Sequence, residues 1–162
     1  MKKIVYLLLL ICSTSVSAQK FEFTVDGFTD YIVEEFPSKS QLELYNLSKM
    51  WVMDTYKNPD EVLKADFEGE RIRIFGGDYS YTYQIEIAFK DGRVKFDPIS
   101  LEKGSSLRIP IPFDKSNLFF NKKGKAKYMM QPAKKEAEEI INDVFLPYVE
   151  YLKKGNKDKN DW

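Results

Sequence analysis

The Asp91-Gly92 dipeptide constrains the fold of this chain more than any other feature. It stands between two runs of alternating apolar residues, and a two-residue Asp-Gly loop supplies the positive φ angles of a type I′ turn. The turn fixes the register of the hairpin, so the apolar residues of both strands fall on one face. This face consists of Tyr79, Tyr81, Tyr83, Ile85, Ile87, Phe89, Val94 and Phe96.

The remainder of the chain adds strands and helices around this hairpin. Strand-like runs occupy 21–25, 62–67, 71–75, 79–89 and 93–96, with Gly-containing turns between most of them. Helical apolar spacing covers 38–56, where Ser38 and Gln41 suggest a capping box, and 133–153, where Pro147 should introduce a kink. Periodicity is weak between Pro98 and Pro132, where we expect one edge strand near 107–113.

An antiparallel sheet with one apolar face buries that face best beneath amphipathic helices. The sequence therefore predicts an α+β fold, with about five antiparallel strands and two helices packed on one face. The other face of the sheet is expected to meet solvent. We expect a single domain over 19–154 and a flexible charged tail over 155–162.

Residues 1–18 have the order of a secretory signal peptide. Lys2 and Lys3 precede an apolar run that is too short to span a membrane, and small residues lead to an expected cleavage after Ala18. Lipidation of Cys12 is the alternative. Lipoprotein processing follows a rule that places a small residue just before the cysteine, and the β-branched Ile11 does not fit that rule. We therefore predict a secreted or periplasmic domain.

The amino-acid composition restricts the catalytic chemistry that the mature domain could perform. The chain has 25 basic and 25 acidic residues, no His and one Cys, and that Cys lies in the predicted leader. The mature domain therefore lacks the commonest general base and any thiol nucleophile. The even charge balance also argues against a nucleic-acid partner. We assign no catalytic residue, metal ligand or cofactor from the sequence.

The order of elements resembles a family of secreted bacterial proteins of unknown function with a TBP-like fold. The resemblance spans about residues 31 to 98 and rests on three features. These are the octapeptide 38–45 that enters a helix, Trp51 within that helix, and the strand and turn over 85–93. The resemblance implies a curved antiparallel sheet in the order strand, helix, four strands, helix. It implies no activity and supplies no functional residues.

Two clusters are candidate sites in the hairpin region. Tyr79, Tyr81 and Tyr83 continue the apolar face and are expected mainly in the core, although tyrosine can also hold a flat or hydrophobic ligand. If a cavity lies between helices and sheet, we expect Trp51 and Tyr79 near its mouth. Glu86 and Asp97 face each other on the polar side, which general acid–base pairs exploit, but neighbouring cations can neutralise them more simply.

A third candidate is a loop in which lysines alternate with aromatic residues. It contains Lys115, Phe119, Phe120, Lys122, Lys123, Lys125, Lys127 and Tyr128. Such a loop can contact a cell envelope, or it can be a solvated loop whose apolar residues tuck onto the domain. The leading hypothesis is a binding module for a protein or a small hydrophobic ligand. The alternatives are a carboxylate-based enzyme and a module that attaches to the envelope through Lys122, Lys123, Lys125 and Lys127.

Overall fold

The computed structural model of the chain describes residues 19–104, 106–114 and 118–155. The predicted leader, with Cys12 and Ala18, and most of the predicted tail lie outside these residues. Two short strands, β1 (Phe23–Thr24) and β2 (Gly27–Phe28), form a hairpin of their own, with the turn at Val25 and Asp26. This hairpin is separate from the main sheet.

The main sheet is antiparallel, with strand order β3-β7-β6-β5-β4 and β8 paired with β7. Its strands are β3 (Ile32–Glu35), β4 (Leu63–Phe67), β5 (Arg71–Gly77), β6 (Tyr81–Lys90), β7 (Arg93–Lys103) and β8 (Ile109–Pro110). Strands β3 and β8 pair with opposite ends of β7 along the same edge. The α+β class and the antiparallel sheet are therefore confirmed.

The Asp91-Gly92 turn sets the register as predicted, but it is not type I′, because only Gly92 has a positive φ, of +73°. Lys90 pairs with Arg93 and Phe89 with Val94, and the apolar residues of both strands fall on the core side. Strand β7 runs seven residues further than the predicted 93–96, to Lys103. A bulge opposite the step from Gln84 to Ile85 allows it to continue past Pro98.

Helix α1 (Gln41–Thr55) begins later than predicted, and Ser38 does not cap it. The chain turns over Phe36 to Lys39, so Ser40 is the N-cap and its hydroxyl accepts the Glu43 N–H at 3.2 Å. A short helix α2 (Pro59–Val62) follows, and α3 (Gln131–Lys154) closes the fold with Pro147 inside it. Both long helices contact the sheet, as the apolar stripe predicted.

The core lies between these helices and the sheet. Phe21, Phe96, Phe145 and Tyr148 are buried in contact with one another, with ring centroids 5.2 to 5.7 Å apart. Ser48 is a buried polar residue in this core. Its hydroxyl donates to the Leu44 carbonyl at 2.7 Å and lies 2.8 Å from the Tyr148 hydroxyl, which joins α1 to α3.

Strand β3 was not predicted. Its signal is the run of β-forming residues from Tyr31 to Val33, bounded by Asp30 and by Pro37. The run 21–25 was predicted as the first strand of the sheet, but it forms the separate β1–β2 hairpin instead. Near 107–113 the predicted edge strand is present only as the two residues of β8.

Candidate functional site

The predicted aromatic cluster does not form one site on the surface. Trp51, Tyr81 and Tyr83 are buried, with exposed fractions of 3%, 4% and 7%. Trp51 packs edge-on against Tyr56 and Tyr148, with ring centroids 5.6 and 4.9 Å away. These side chains are parts of the core.

Tyr79 is placed differently from its predicted position. It is 79% exposed and lies in a bend, so it does not continue the apolar face of β6. The Asp78 carboxylate accepts the N–H groups of Ser80 and Tyr81 at 2.7 and 2.9 Å, which closes a turn around Tyr79. These two hydrogen bonds lower the pKa of Asp78.

The buried Tyr83 ring packs closely against a glycine. Its ring lies over Gly76, where an added Cβ would stand 2.5 Å from the Tyr83 hydroxyl oxygen. The Tyr83 and Tyr56 hydroxyl oxygens lie 3.0 Å apart. Burial raises the pKa of both groups. The Gly76-Gly77 pair thus has a structural use at the end of β5.

Glu86 and Asp97 are opposite each other in the register, as predicted. Each has its own cation: Arg73 lies 2.7 Å from Glu86, and Lys95 lies 2.6 Å from Asp97. The pair stands on the solvent side of the sheet. Within the described part of the chain, no group of three or more His, Cys, Asp or Glu side chains could hold a metal ion.

The solvent side of the sheet, which we call the open face, carries a row of mixed side chains in direct register. The row crosses five strands and consists of Val33, Lys95, Ala88, Arg71 and Phe67. At each end an apolar residue is exposed, Val33 by 37% and Phe67 by 48%. The strand spacing of about 4.8 Å makes the row roughly 19 Å long.

A shallow groove of about 330 Å³ occupies the β3 end of the open face. Ala88 is the small residue in the middle of its lining. Tyr31 and Val33 provide an apolar wall, while Lys90, Arg93 and Lys95 place three cations at the groove. Of the acidic residues close by, Asp97 pairs with Lys95, and Glu35 stands opposite Arg93 in the register.

Cations are stacked on the exposed rings of the open face. Lys95 Nζ lies 4.4 Å from the centroid of the Tyr31 ring, and the Arg71 guanidinium lies 4.4 Å from that of Phe67. Lys64 is 5.9 Å from the ring of Phe75, which is 40% exposed. These contacts restrict the rings before any partner arrives. This surface was not predictable from the sequence, because β3, which brings Tyr31 and Val33 to it, was not predicted.

The lysine-aromatic loop forms a tight hairpin, which we call the lysine hairpin (residues 118–127). Phe120 bridges Ala126, and the Asn121 side chain accepts the N–H groups of Lys123 and Lys125 at 2.8 and 3.1 Å. Phe119 is buried against Phe23, as the tucked-loop alternative predicted. Lys122, Lys123 and Lys125 are exposed. Lys115 lies outside the described residues.

Among the described residues, no helix has the length and apolar character needed to cross a membrane. No family model matches the chain. No curated protein matches it either.

Two solved structures resemble this one. A DUF4468 family protein from Bacteroides ovatus matches with a TM-score of 0.60 and 15% identity, over 77% of this chain and 85% of the other. A TBP-like protein from Parabacteroides distasonis matches with a TM-score of 0.53 and 11% identity, over 78% of this chain and 92% of the other. Both are bacterial proteins, in agreement with the resemblance drawn from the sequence. At these identities the likeness shows the fold, and this protein therefore shares a TBP-like fold with the two bacterial proteins.

Proposed function

We propose that this protein is a binding module whose open face recognises a protein partner. The observation that carries the proposal is the set of exposed aromatic rings held by cations on a sheet face that none of the described helices covers. Tyr31, Phe67 and Phe75 are 52%, 48% and 40% exposed, and each has a Lys or Arg over its ring. Aromatic residues and arginine are enriched in protein interfaces and in their energetic hot spots.

The size of the surface favours a protein over a small ligand. The exposed apolar residues stand at both ends of a row about 19 Å long, while the groove of about 330 Å³ lies at the low end of the range for ligand pockets. In addition, Trp51, Tyr81 and Tyr83 lie in the packed core between helices and sheet, where the sequence allowed a site for a hydrophobic ligand.

The charges at the groove indicate the character of the partner. Lys90 and Arg93 are exposed, and neither forms an ion pair with another described residue. Lys95 is already paired with Asp97. A partner segment that presents carboxylates beside an apolar side chain would satisfy the free cations and cover Tyr31 and Val33 at once.

Site-specific cross-linking in the source organism tests this proposal. A photoreactive amino acid placed at Val33 or Phe75 should give one defined cross-linked protein. The same probe at Met53, which is 62% exposed on helix α1, is the matched control. Replacement of Tyr31 by Ala should reduce the yield of the cross-link from these positions on the open face. Arg93→Glu should reduce that yield further. The proposal fails if the open-face positions give no product, or if Met53 captures the same protein equally well.

We also propose that the module works outside the cytoplasm, after cleavage behind Ala18. The packing of the domain supports this location for the cut. Gln19 and Lys20 are exposed, whereas Phe21 is buried and its backbone exchanges two hydrogen bonds with the Asn142 side chain at 2.9 and 2.8 Å. Cleavage after Ala18 would therefore leave the first packed residue intact.

The enzyme alternative gains no support from the geometry. Glu86 and Asp97 are each neutralised by a neighbouring cation, and both stand on the open face of the sheet. An acid–base pair needs one carboxyl group whose environment differs from that of the other. Here the two environments are alike, since each carboxylate accepts from one cation.

A further inference from the structure

We infer that the lysine hairpin and the two residues that follow it form a docking site for an anionic phospholipid surface. This site is independent of the open face. The residues that carry it are Lys122, Lys123, Lys125, Tyr128 and Met129. They belong to one continuous segment that contains no Asp or Glu from Leu118 to Lys135.

The lysines at the tip are free to act on an outside partner. Lys122, Lys123 and Lys125 are exposed, and none of them forms an ion pair with another described residue. By contrast, Lys134 and Lys135, in the same acid-free segment, lie 2.5 and 3.2 Å from Glu138 and Glu139 one helical turn later. The uncompensated positive charge of the segment is therefore concentrated at the hairpin.

The hairpin holds these lysines on a fixed scaffold. Two backbone hydrogen bonds, from Asn121 N to Lys125 O and from Lys127 N to Phe119 O, close it at 2.9 Å each. Phe119 anchors its base in the core. Gly124, with φ of +73°, makes the turn. It lies close to Val25, so that a Cβ added at Gly124 would be 3.4 Å from Val25 Cγ1. The backbone of this anchored tip therefore has little freedom left to lose on binding.

The base of the hairpin supplies apolar groups. Tyr128 and Met129 are 88% and 85% exposed, and they begin the 3-10 helix Tyr128–Met130 directly after Lys127. Exposed tyrosine beside lysine is typical of residues that rest at the boundary between headgroups and acyl chains. Val25, beside the tip, is 43% exposed and extends the apolar part of this surface.

The residue types favour a lipid surface over specific recognition of a phosphorylated molecule. All the cations of the segment are lysines, and lysine binds as a hydrated point charge without the bidentate geometry that arginine offers. Lysines near an anionic membrane each contribute about 1 kcal/mol, which corresponds to about fivefold in affinity. Asp26 lies next to Val25 in the sequence, and Glu136 directly follows the acid-free segment.

Cosedimentation with lipid vesicles tests the inference on the full mature chain. Vesicles that contain phosphatidylglycerol should bind the protein, whereas pure phosphatidylcholine vesicles should bind it much more weakly. Binding should fall steeply as NaCl rises from low to high concentration, because the surface charges become screened.

Matched variants locate the site. Replacing Lys122 and Lys123 together by Gln should weaken binding by roughly 25-fold, from the contribution of about fivefold per lysine. Replacing Lys153 and Lys154 by Gln makes the same change in charge at the far end of α3, roughly 35 Å along the helix axis, and should alter binding by less than about twofold. Tyr128→Ser with Met129→Ser should weaken the binding that persists at high salt.

The inference is wrong if wild-type protein ignores phosphatidylglycerol vesicles, or if both lysine pairs weaken binding equally. It is also wrong if the variant with Tyr128→Ser and Met129→Ser binds the vesicles as strongly as wild type at high salt, since an apolar contact with lipid would then play no part. All of the replaced side chains are exposed. Unchanged circular dichroism and melting temperatures would show that the variants are folded.

Discussion

Ser48 and Tyr148 form a buried pair whose energetics can be predicted from the direction of its hydrogen bonds. Ser48 donates its single hydroxyl proton to the Leu44 carbonyl at 2.7 Å. The 2.8 Å contact between the two hydroxyl groups must therefore be donated by Tyr148 and accepted by Ser48. Both residues are buried, and burial raises the pKa of Tyr148.

The two single substitutions should therefore have unequal costs. Ser48→Ala leaves the Tyr148 hydroxyl as a buried donor without a partner, which costs about 1–3 kcal/mol; alanine recovers about 0.5 kcal/mol of helix propensity. Tyr148→Phe removes the donor while Ser48 keeps its bond to Leu44, and costs about 0.5–1.5 kcal/mol. The double variant should cost less than the sum of the two by about 1 kcal/mol, since no buried donor is left unpaired.

Urea unfolding followed by far-ultraviolet circular dichroism measures these differences, provided that the slope with urea stays constant. Tyr151→Phe is the matched control. It removes the same atom from the same helix, but the hydrogen bond it breaks, from Tyr151 to Asp54 at 2.8 Å, is exposed. We expect it to cost less than about 0.5 kcal/mol. The reasoning is refuted if the two single costs add in the double variant, or if Ser48→Ala costs no more than Tyr151→Phe.

Three further predictions concern stability and processing. Gly76→Ala should lower stability by about 1–3 kcal/mol in thermal melts, because its Cβ would overlap the Tyr83 ring; an unchanged melting temperature would contradict this contact. Burial raises the pKa of Asp66, but hydrogen bonds from Lys49 and Tyr45 outweigh it and leave the pKa below its usual value. Asp66→Asn should therefore cost at most about 1 kcal/mol of stability at pH 7. In thermal melts, its difference in stability from wild type should vanish as pH falls below about 4, and a difference that does not change with pH would contradict this prediction. The exported protein should have an intact mass that begins at Gln19, and a mass that retains residues 1–18 would contradict cleavage after Ala18.

The β6–β7 hairpin was predictable because its sequence signal is local. Asp91-Gly92 fixes the turn and the alternation of β6 fixes the buried face, so the register of Glu86 with Asp97 followed directly. The two long helices were predictable from apolar spacing, except at the N-terminus of α1, whereas the short helix α2 was not predicted. At the start of α1 the sequence indicated Ser38, and the turn that makes Ser40 the cap depends on contacts with the distant β6–β7 hairpin, including the Gly92 N–H that donates to the Lys39 carbonyl at 2.9 Å.

The candidate surface was not predictable in the same way. Val33 belongs to the four-residue strand β3 and Tyr31 directly precedes it, and such a short run becomes a strand through its pairing with β7 rather than through its own periodicity. Tyr79 illustrates the converse. Its alternation with Tyr81 predicts a shared face. However, the Asp78 carboxylate accepts two backbone N–H groups and forms a turn there, so β6 begins only at Tyr81.

The pairing of β3 and β8 along one side of β7 has a consequence for self-association. An uncovered strand edge invites a neighbouring chain to add a strand and to start an aggregate. Here the two short strands cover both ends of that edge, and the gap between them contains Pro98, which has no N–H to donate, next to a bulge. At the opposite edge, β4 carries a bulge between Leu63 and Ala65 and the charged side chains of Lys64 and Asp66. A domain built this way can keep a broad sheet face exposed to partners at high local concentration without its copies joining edge to edge.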